Sequence, residues 1–197
     1  RPFPGGQYHV IESFQRHFQS IGIEVGDYPE LDWLAPSNFT EDLPNRFALI
    51  VPSCSPKSTE KHWSKEGFSE VIDWLTEQEI IPILVGTSHD SPQIDPILKI
   101  CKHRDKVINR INNSPLSTLV ALSRRCTLSL GLDTGPMHLI AAGHQPSITL
   151  FNSSNKANLC HPCGKNAYTL IHQDLKSLPA KKVIETIKKT LKTEAIK

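Results

Sequence analysis

An acid, a hydroxyl, a glycine and a histidine stand together in Asp133-Thr134-Gly135-Pro136-Met137-His138. An apolar run from Cys126 to Leu130 leads in, and Leu139-Ile140-Ala141-Ala142 leads out to Gly143. That order reads as strand, tight turn and helix start. Such a turn presents unpaired backbone N–H groups and the positive end of a helix dipole, and both attract anions. Gly135 lets a ligand come close to the backbone. Pro136 has no N–H and is tolerated in the first helical turn, which sets where the helix begins. Thr134 and His138 share a face of that turn, so a hydroxyl and an imidazole are offered to phosphate oxygens. Asp133 does not suit a phosphate; it caps the helix or orients a neighbour. An Asp or Thr N-cap beside a surface histidine also fits these residues.

Three further groups have types and positions that suit chemistry. Lys61 follows a Ser-rich loop, and a lysine there can neutralise the charge of a departing phosphate. A solvated lysine beside a packing Trp63 is the other reading. Asp90 lies four residues after Gly86, where a carboxylate beyond a strand end can accept from ribose hydroxyls. An N-cap or first-turn acid ahead of Ser91-Pro92 also accounts for it. Cys160-His161-Pro162-Cys163 is a single C-x-x-C with no second pair at finger spacing, and zinc takes four ligands. No metal site is expected from it. The five cysteines are odd in number, and Cys101 and Cys126 adjoin apolar stretches, which fits a reducing compartment better than a disulfide framework.

Elements of the right kind must carry these residues to one place. Apolar runs predict strands over 47–51, 80–85, 106–108, 126–130, 147–151 and 167–171. Helical periods predict helices over 9–21, 66–77, 91–102, 115–124 with Ser114 as N-cap, 136–142 and 180–192. Residues 26–46 read as an extended linker, and 152–167 as an irregular loop. Strands and helices alternate, and each strand is a continuous apolar run, which means an α/β fold with a parallel sheet covered on both faces. In such sheets the ligand sits beyond the carboxyl ends of the strands. The loops starting at Pro52, Gly86, Gly131 and Asn152 are those ends, and they carry the residues singled out above.

Bulk composition narrows the class further. The 197 residues are 38% hydrophobic and 21% charged with a net charge of +2, an ordinary globular composition with too little charge to argue for nucleic acid. No apolar run approaches the roughly 20 residues of a membrane span. The opening Arg1-Pro2-Phe3-Pro4-Gly5-Gly6 lacks the apolar core of a signal peptide. Met137 is the only methionine, so the sequence is expected to be part of a longer chain. The last helix carries Val183, Ile184, Ile187 and Leu191 as an apolar stripe among lysines, which face solvent or touch an anionic membrane surface.

Taken together these motifs resemble glycosyltransferase family 9, the bacterial heptosyltransferases of lipopolysaccharide core synthesis. The turn from Asp133 to Leu139, with Ala141-Ala142 behind it, is similar to that family's most recognisable motif. Gln145 to Phe151 fits the strand that follows it, and Gly164-Lys165-Asn166 resembles a later segment of some members. Upstream, Pro52 with its Ser-rich loop and Lys61-His62-Trp63 resembles a loop ending in Lys-x-Trp, and Gly86 to Asp90 a Gly-x-x-x-acid loop. Order and spacing agree over roughly residues 45–175.

The resemblance implies a Rossmann-like doubly wound sheet, the C-terminal half of a two-domain GT-B glycosyltransferase. Residues 1–46 would be the closing helix and linker of the N-terminal domain, 47–178 the nucleotide-sugar-binding domain, and 179–197 a basic amphipathic helix. Asp133, Thr134, Gly135 and His138 would surround the donor diphosphate, with Ser53 and Ser55 contributing hydroxyls. Lys61 and His138 would serve catalysis, and Asp90 and Gly86 would lie at the ribose. The implied reaction transfers heptose from ADP-heptose, with inversion, to a lipopolysaccharide core acceptor. The donor is a substrate, and no cofactor is implied. The acceptor and the catalytic base would belong to an N-terminal domain outside this sequence, so the 197 residues alone are expected to be inactive. The setting would be cytoplasmic, at the inner face of the inner membrane. A GT-B domain using a UDP- or GDP-sugar and a non-catalytic nucleotide-binding module share much of the pattern.

Overall fold

A computed structural model describes residues 8–35, 39–153 and 157–195. Arg1–Gly6, residues 36–38 of the linker and residues 154–156 of the loop lie outside that description. Six strands form one sheet: β1 (Phe47–Val51), β2 (Ile81–Gly86), β3 (Ile108–Ile111), β4 (Leu128–Leu132), β5 (Ser147–Asn152) and β6 (Ala167–His172). Every pairing is parallel, in the spatial order β3-β2-β1-β4-β5-β6. Helix α1 (Val10–Ser20) precedes the strands, α2 (Lys65–Glu77), α3 (Ser91–Ile100), α4 (Leu116–Arg125), α5 (Gly135–Ala141) and α6 (Ala157–Cys160) run between them, and α7 (Ala180–Ala195) follows. This is the parallel α/β sheet that the alternating pattern predicts, in the Rossmann-like arrangement that the resemblance implies.

The period of two along each strand sorts the core into two layers. Ala48, Ile50, Leu84, Leu130 and Ile148 meet Phe68, Ile72 and Leu75 of α2, Ile94 and Ile97 of α3, and Val183 and Ile187 of α7. Phe47, Leu49, Val51, Ile83 and Val85 meet Leu119 and Leu122 of α4 and Met137 and Ile140 of α5. Each of the larger of these side chains, Val, Leu, Ile, Phe or Met, contributes roughly 1.5–3 kcal/mol when fully buried, so both faces of the central strands are anchored. The apolar stripe of α7 is therefore core, with its lysines outside.

Several boundaries move for physical reasons. β3 lies at 108–111, not 106–108, because Arg104–Lys106 form a 3-10 turn. As an edge strand β3 exposes Asn109, so an apolar-run criterion misplaces it. β4 extends through Gly131 to Leu132 because Val51 and Met137 close over Gly131; a Cβ there would stand 2.6 Å from Met137 Sδ. A glycine in a strand marks such a close approach. The N-cap of α4 is Pro115, not Ser114, whose hydroxyl is buried without a hydrogen bond. The loop 152–167 contains the short helix α6.

The linker is partly pinned: Phe39 and Leu43 pack against the second core layer, Asp32 pairs with Arg124, and Arg110 pairs with Glu41 at 2.5 Å. α1 buries none of its residues, and Val10, Phe14 and Phe18 are exposed.

Gly164 lets the segment after α6 lie directly on α5. A Cβ there would fall 1.9 Å from the Ala141 carbonyl oxygen. Gly164→Ala is expected to cost about 1–3 kcal/mol in urea denaturation. Gly135→Ala, where a Cβ meets nothing within 4 Å, should stay within about 0.5 kcal/mol.

Candidate functional site

Strand order reverses between β1 and β4. The chain runs outward from β1 through β2 to β3, then returns to place β4 on the other side of β1. At such a switch point the loops leaving the two adjacent strands turn to opposite faces and open a crevice beyond their carboxyl ends. A cleft of about 250 Å³ occupies it. Ser53 and Ser55 enter from the loop after β1, Gly86 and Asp90 from the loop after β2, Ser114 from the loop after β3, and Thr134 from the turn after β4. Val51, Val85, Leu116 and Leu119 supply apolar walls. Four separate strand ends thus converge on one cavity.

Lys61 bridges the reversal itself. It ends a 3-10 turn, Thr59–Lys61, on the β1 side, and its Nζ donates to Asp133 Oδ2 at 2.6 Å on the β4 side. The side chains are 27% and 9% exposed, so the pair is sheltered but still reaches solvent. Asp133 raises the Lys61 pKa, mainly through that hydrogen bond, and keeps the ammonium charged. An ammonium has three donors, so a lysine held this way keeps capacity for an anion. Of the two roles open to Asp133, the structure selects orientation. Thr134 is the N-cap of α5, and its side chain makes no capping bond, which leaves the hydroxyl available at the cleft.

His138 is exposed on α5, yet enough protein surrounds its ring to desolvate the imidazolium. Burial pushes its pKa below 6.5, with Asp133 opposing and His161 and Lys61 adding to the fall. Gly135 faces open space, as close backbone approach by a ligand requires. Asp90 is engaged locally: its Oδ2 accepts from the Thr87 backbone N–H at 2.7 Å and from Thr87 Oγ1 at 2.8 Å. Asp90 occupies the N-cap position of α3 without a side-chain cap bond there; its carboxylate instead closes the capping box of the 3-10 turn Ser88–Asp90, and the residue lines the cleft as well. Lys61 and His138 flank the cleft rather than line it.

Some supporting residues escape a reading of sequence alone. Gln93 of α3 clamps the loop after β1, donating to the Cys54 carbonyl at 3.0 Å and accepting from the Cys54 N–H at 3.4 Å. Asn152 Nδ2 donates to the Glu60 carbonyl at 3.2 Å, which ties the Lys61 turn to the end of β5. Trp63 is buried and donates to the Leu178 carbonyl at 2.8 Å. Neither Gln93 nor Asn152 lies in a recognisable pattern; each acts across a tertiary contact. Cys54 itself is buried, and desolvation pushes its thiol up to about 11. Cys163 of the C-x-x-C lies 3.7 Å from His9 Nδ1, while burial pushes the Cys160 thiol up, with the Asp133 charge adding to the rise and Lys61 opposing it.

A parallel Rossmann-like sheet with polar loops gathered at its switch point is an open α/β domain of the kind whose ligands sit beyond the carboxyl ends of the strands. Residues 6–191 match the profile of glycosyltransferase family 9 (heptosyltransferase), and the chain belongs to that family. It is 27% identical over 156 residues to the lipopolysaccharide core heptosyltransferase OpsX of Haemophilus influenzae, covering 75% of this chain and 43% of that protein. It is 22% identical over 191 residues to lipopolysaccharide heptosyltransferase 3 of Escherichia coli K12, covering 93% and 55%. The chain spans about half the length of the curated relatives it matches. Among solved structures, a family 9 glycosyltransferase from Veillonella parvula superposes with a TM-score of 0.80 at 18% identity, covering 97% of this chain and 62% of that one. E. coli heptosyltransferase WaaC with ADP gives 0.75 at 20% identity, covering 94% and 58%.

The Lys61–Asp133 pair is expected to be coupled. A double-mutant cycle of Lys61→Met and Asp133→Asn, read by denaturant unfolding, should give an interaction energy of about 0.5–3 kcal/mol. Additive effects would mean that the pair does not hold in solution.

Proposed function

We propose that the chain is the donor-binding, C-terminal half of an inverting glycosyltransferase that transfers heptose from ADP-heptose to a lipopolysaccharide core acceptor. The observation that carries this is the sheltered Lys61–Asp133 pair, set across the switch point beside the open Thr134–Gly135 turn in a family 9 chain. Support for the donor comes from a similar structure described as bound to ADP-2-deoxy-2-fluoro heptose, with a TM-score of 0.70 at 19% identity.

In this reading the nucleoside occupies the cleft between Ser53 and Ser55 on one wall and Gly86 and Asp90 on the other. The diphosphate lies over Thr134 and Gly135, within reach of Lys61 and His138. A base on the acceptor-binding domain takes the proton of an acceptor hydroxyl. The hydroxyl oxygen attacks the anomeric carbon, and the bond from that carbon to the diphosphate oxygen breaks. ADP departs with the bonding electrons. Lys61, His138 and the backbone of the turn stabilise the charge that gathers on it, which is the kind of preorganised electrostatics that contributes most to many enzymes. Asp133 keeps Lys61 charged and aimed. The nucleotide sugar is the substrate, and the step runs on side chains and backbone without a cofactor. The acceptor half of the site would lie on another domain, so these residues bind donor without completing the transfer. We place the protein at the cytoplasmic face of the inner membrane, with the exposed α7 lysines towards the lipid surface. No helix among the described residues is long and apolar enough to cross a membrane.

Titration calorimetry with ADP tests the reading. ADP should bind, and Lys61→Ala and His138→Ala should each weaken it about tenfold, a change of about 1.4 kcal/mol. UDP and GDP should compete poorly; preference for either would move the donor to another nucleotide sugar. Absence of binding at millimolar ADP and low salt would overturn the proposal.

Affinity should also depend on pH through His138. A bound diphosphate raises the His138 pKa from its depressed value. The gain is therefore complete below the ligand-free pKa and lost as pH rises through the ligand-bound one. ADP affinity should fall between about pH 6 and pH 8 more steeply in the native protein than in His138→Asn.

A further inference from the structure

We propose that His9, His161 and Cys163 bind one divalent transition-metal ion, zinc by the chemistry of the ligands. The ion would clip the N-terminal helix to the segment beside the diphosphate turn. One ligand atom from each residue lies within 4.8 Å of the other two, and all three residues are partly buried. Cys163 Sγ stands 3.7 Å from His9 Nδ1 and 3.8 Å from His9 Nε2. The two imidazoles lie 4.4 Å apart between ring centroids. In a tetrahedral zinc site, with bonds of about 2.0–2.1 Å to nitrogen and 2.3 Å to sulfur, neighbouring ligand atoms stand about 3.5 Å apart. The sulfur and the His9 ring are already close to that spacing, and no pair among the three ligand atoms is more than 4.8 Å apart.

The hydrogen bonds around the rings orient them for this role. His161 Nδ1 lies 3.1 Å from the Pro162 carbonyl, which holds the proton on Nδ1 and leaves the Nε2 lone pair available. His9 Nε2 lies 2.9 Å from the His161 carbonyl, which holds the proton on Nε2 and makes Nδ1 the acceptor nitrogen. Metal-binding histidines usually donate their other N–H to a carbonyl or carboxylate in this manner. At present His9 Nδ1 accepts from the Ile11 N–H at 3.2 Å as the cap of α1. Metal binding replaces that one hydrogen bond. Cys163 gives up its thiol proton to bind as thiolate.

The ligand set selects the ion. Two imidazoles and a thiolate suit zinc and disfavour magnesium and calcium, which take oxygen. Three protein ligands leave a fourth position for water. Cys160, though in the same C-x-x-C, is not part of the cluster. His9 and His161 are 152 residues apart in the chain, so the ion would join the start of α1 to the loop after α6. Both histidines lie close enough to His138 to interact with it electrostatically. The 2+ charge would therefore stand near the turn that carries Thr134 and Gly135. This inference rests on the His9–His161–Cys163 cluster alone and does not depend on the identity of the donor.

Zinc and cobalt loading of the intact protein tests it. After zinc loading and desalting, elemental analysis should find one ion per chain. Cobalt substitution should add a thiolate-to-cobalt charge-transfer band. Cys163→Ser and His161→Ala should each abolish the band and lower zinc retention at least tenfold, whereas Cys160→Ser should keep both. His161→Gln, with circular dichroism on every variant, separates loss of a ligand from loss of fold. Less than stoichiometric zinc in the native protein, full retention in Cys163→Ser, or equal loss in Cys160→Ser would overturn the proposal. ADP titration is a separate readout, so failure of either reading leaves the other standing.

Discussion

The 2.6 Å contact between Lys61 and Asp133 is the constraint around which this domain is arranged. It joins the loops leaving β1 and β4, neighbouring strands whose connections depart in opposite directions. A charged pair there needs both loops fixed, because a sheltered charge without its partner costs several kcal/mol. The fold supplies the fixing. Trp63 anchors the residues after Lys61 to the Leu178 carbonyl, and Asn152 holds the Glu60 carbonyl from the end of β5. Val51 and Met137 pack over Gly131 at the end of β4, just before Asp133. The pair is the meeting point of contacts spread over most of the sheet.

That arrangement also explains why the two core layers matter to the chemistry. Helices α2, α3 and α7 on one face and α4 and α5 on the other bury the central strands, so their carboxyl ends are fixed by packing from both sides. The polar groups at the cleft inherit that placement, and preorganised groups need no reorganisation when charge develops. By contrast, α1 buries nothing and presents Phe14 and Phe18 to solvent. Its contact with the rest of the domain includes His9 against His161 and Cys163.

Much of this was legible in the residues themselves. Strands β1 and β2 are nearly unbroken apolar runs and were readable because both of their faces are buried; β5 was readable from Ile148, Leu150 and Phe151 although Ser147 and Thr149 are polar. The turn after β4 was readable because glycine, proline and the apolar run behind them leave few other conformations. Edge strand β3 was not, since Asn109 and Arg110 interrupt the apolar signal. Ser114 reads as a helix cap by its neighbours but faces the cleft, because Pro115 takes the cap position. The C-x-x-C reads as an isolated pair without the four ligands of a zinc site, yet the fold turns Cys163 towards His9, a residue 154 positions away. Gln93 and Asn152 have no local signature at all.

By itself the sequence determined the alternation of strands and helices, the parallel sheet, and the edge on which Ser53, Lys61, Asp90 and Asp133 would gather. Those follow from periodicity and from the conformational limits of glycine and proline, which act within a few residues. The tertiary structure decided which side chains touch. It chose orientation of Lys61 over helix capping for Asp133, engaged Asp90 with Thr87, and brought His9 to Cys163. These depend on distances between residues far apart in the chain, set by how the two layers of helices pack on the sheet.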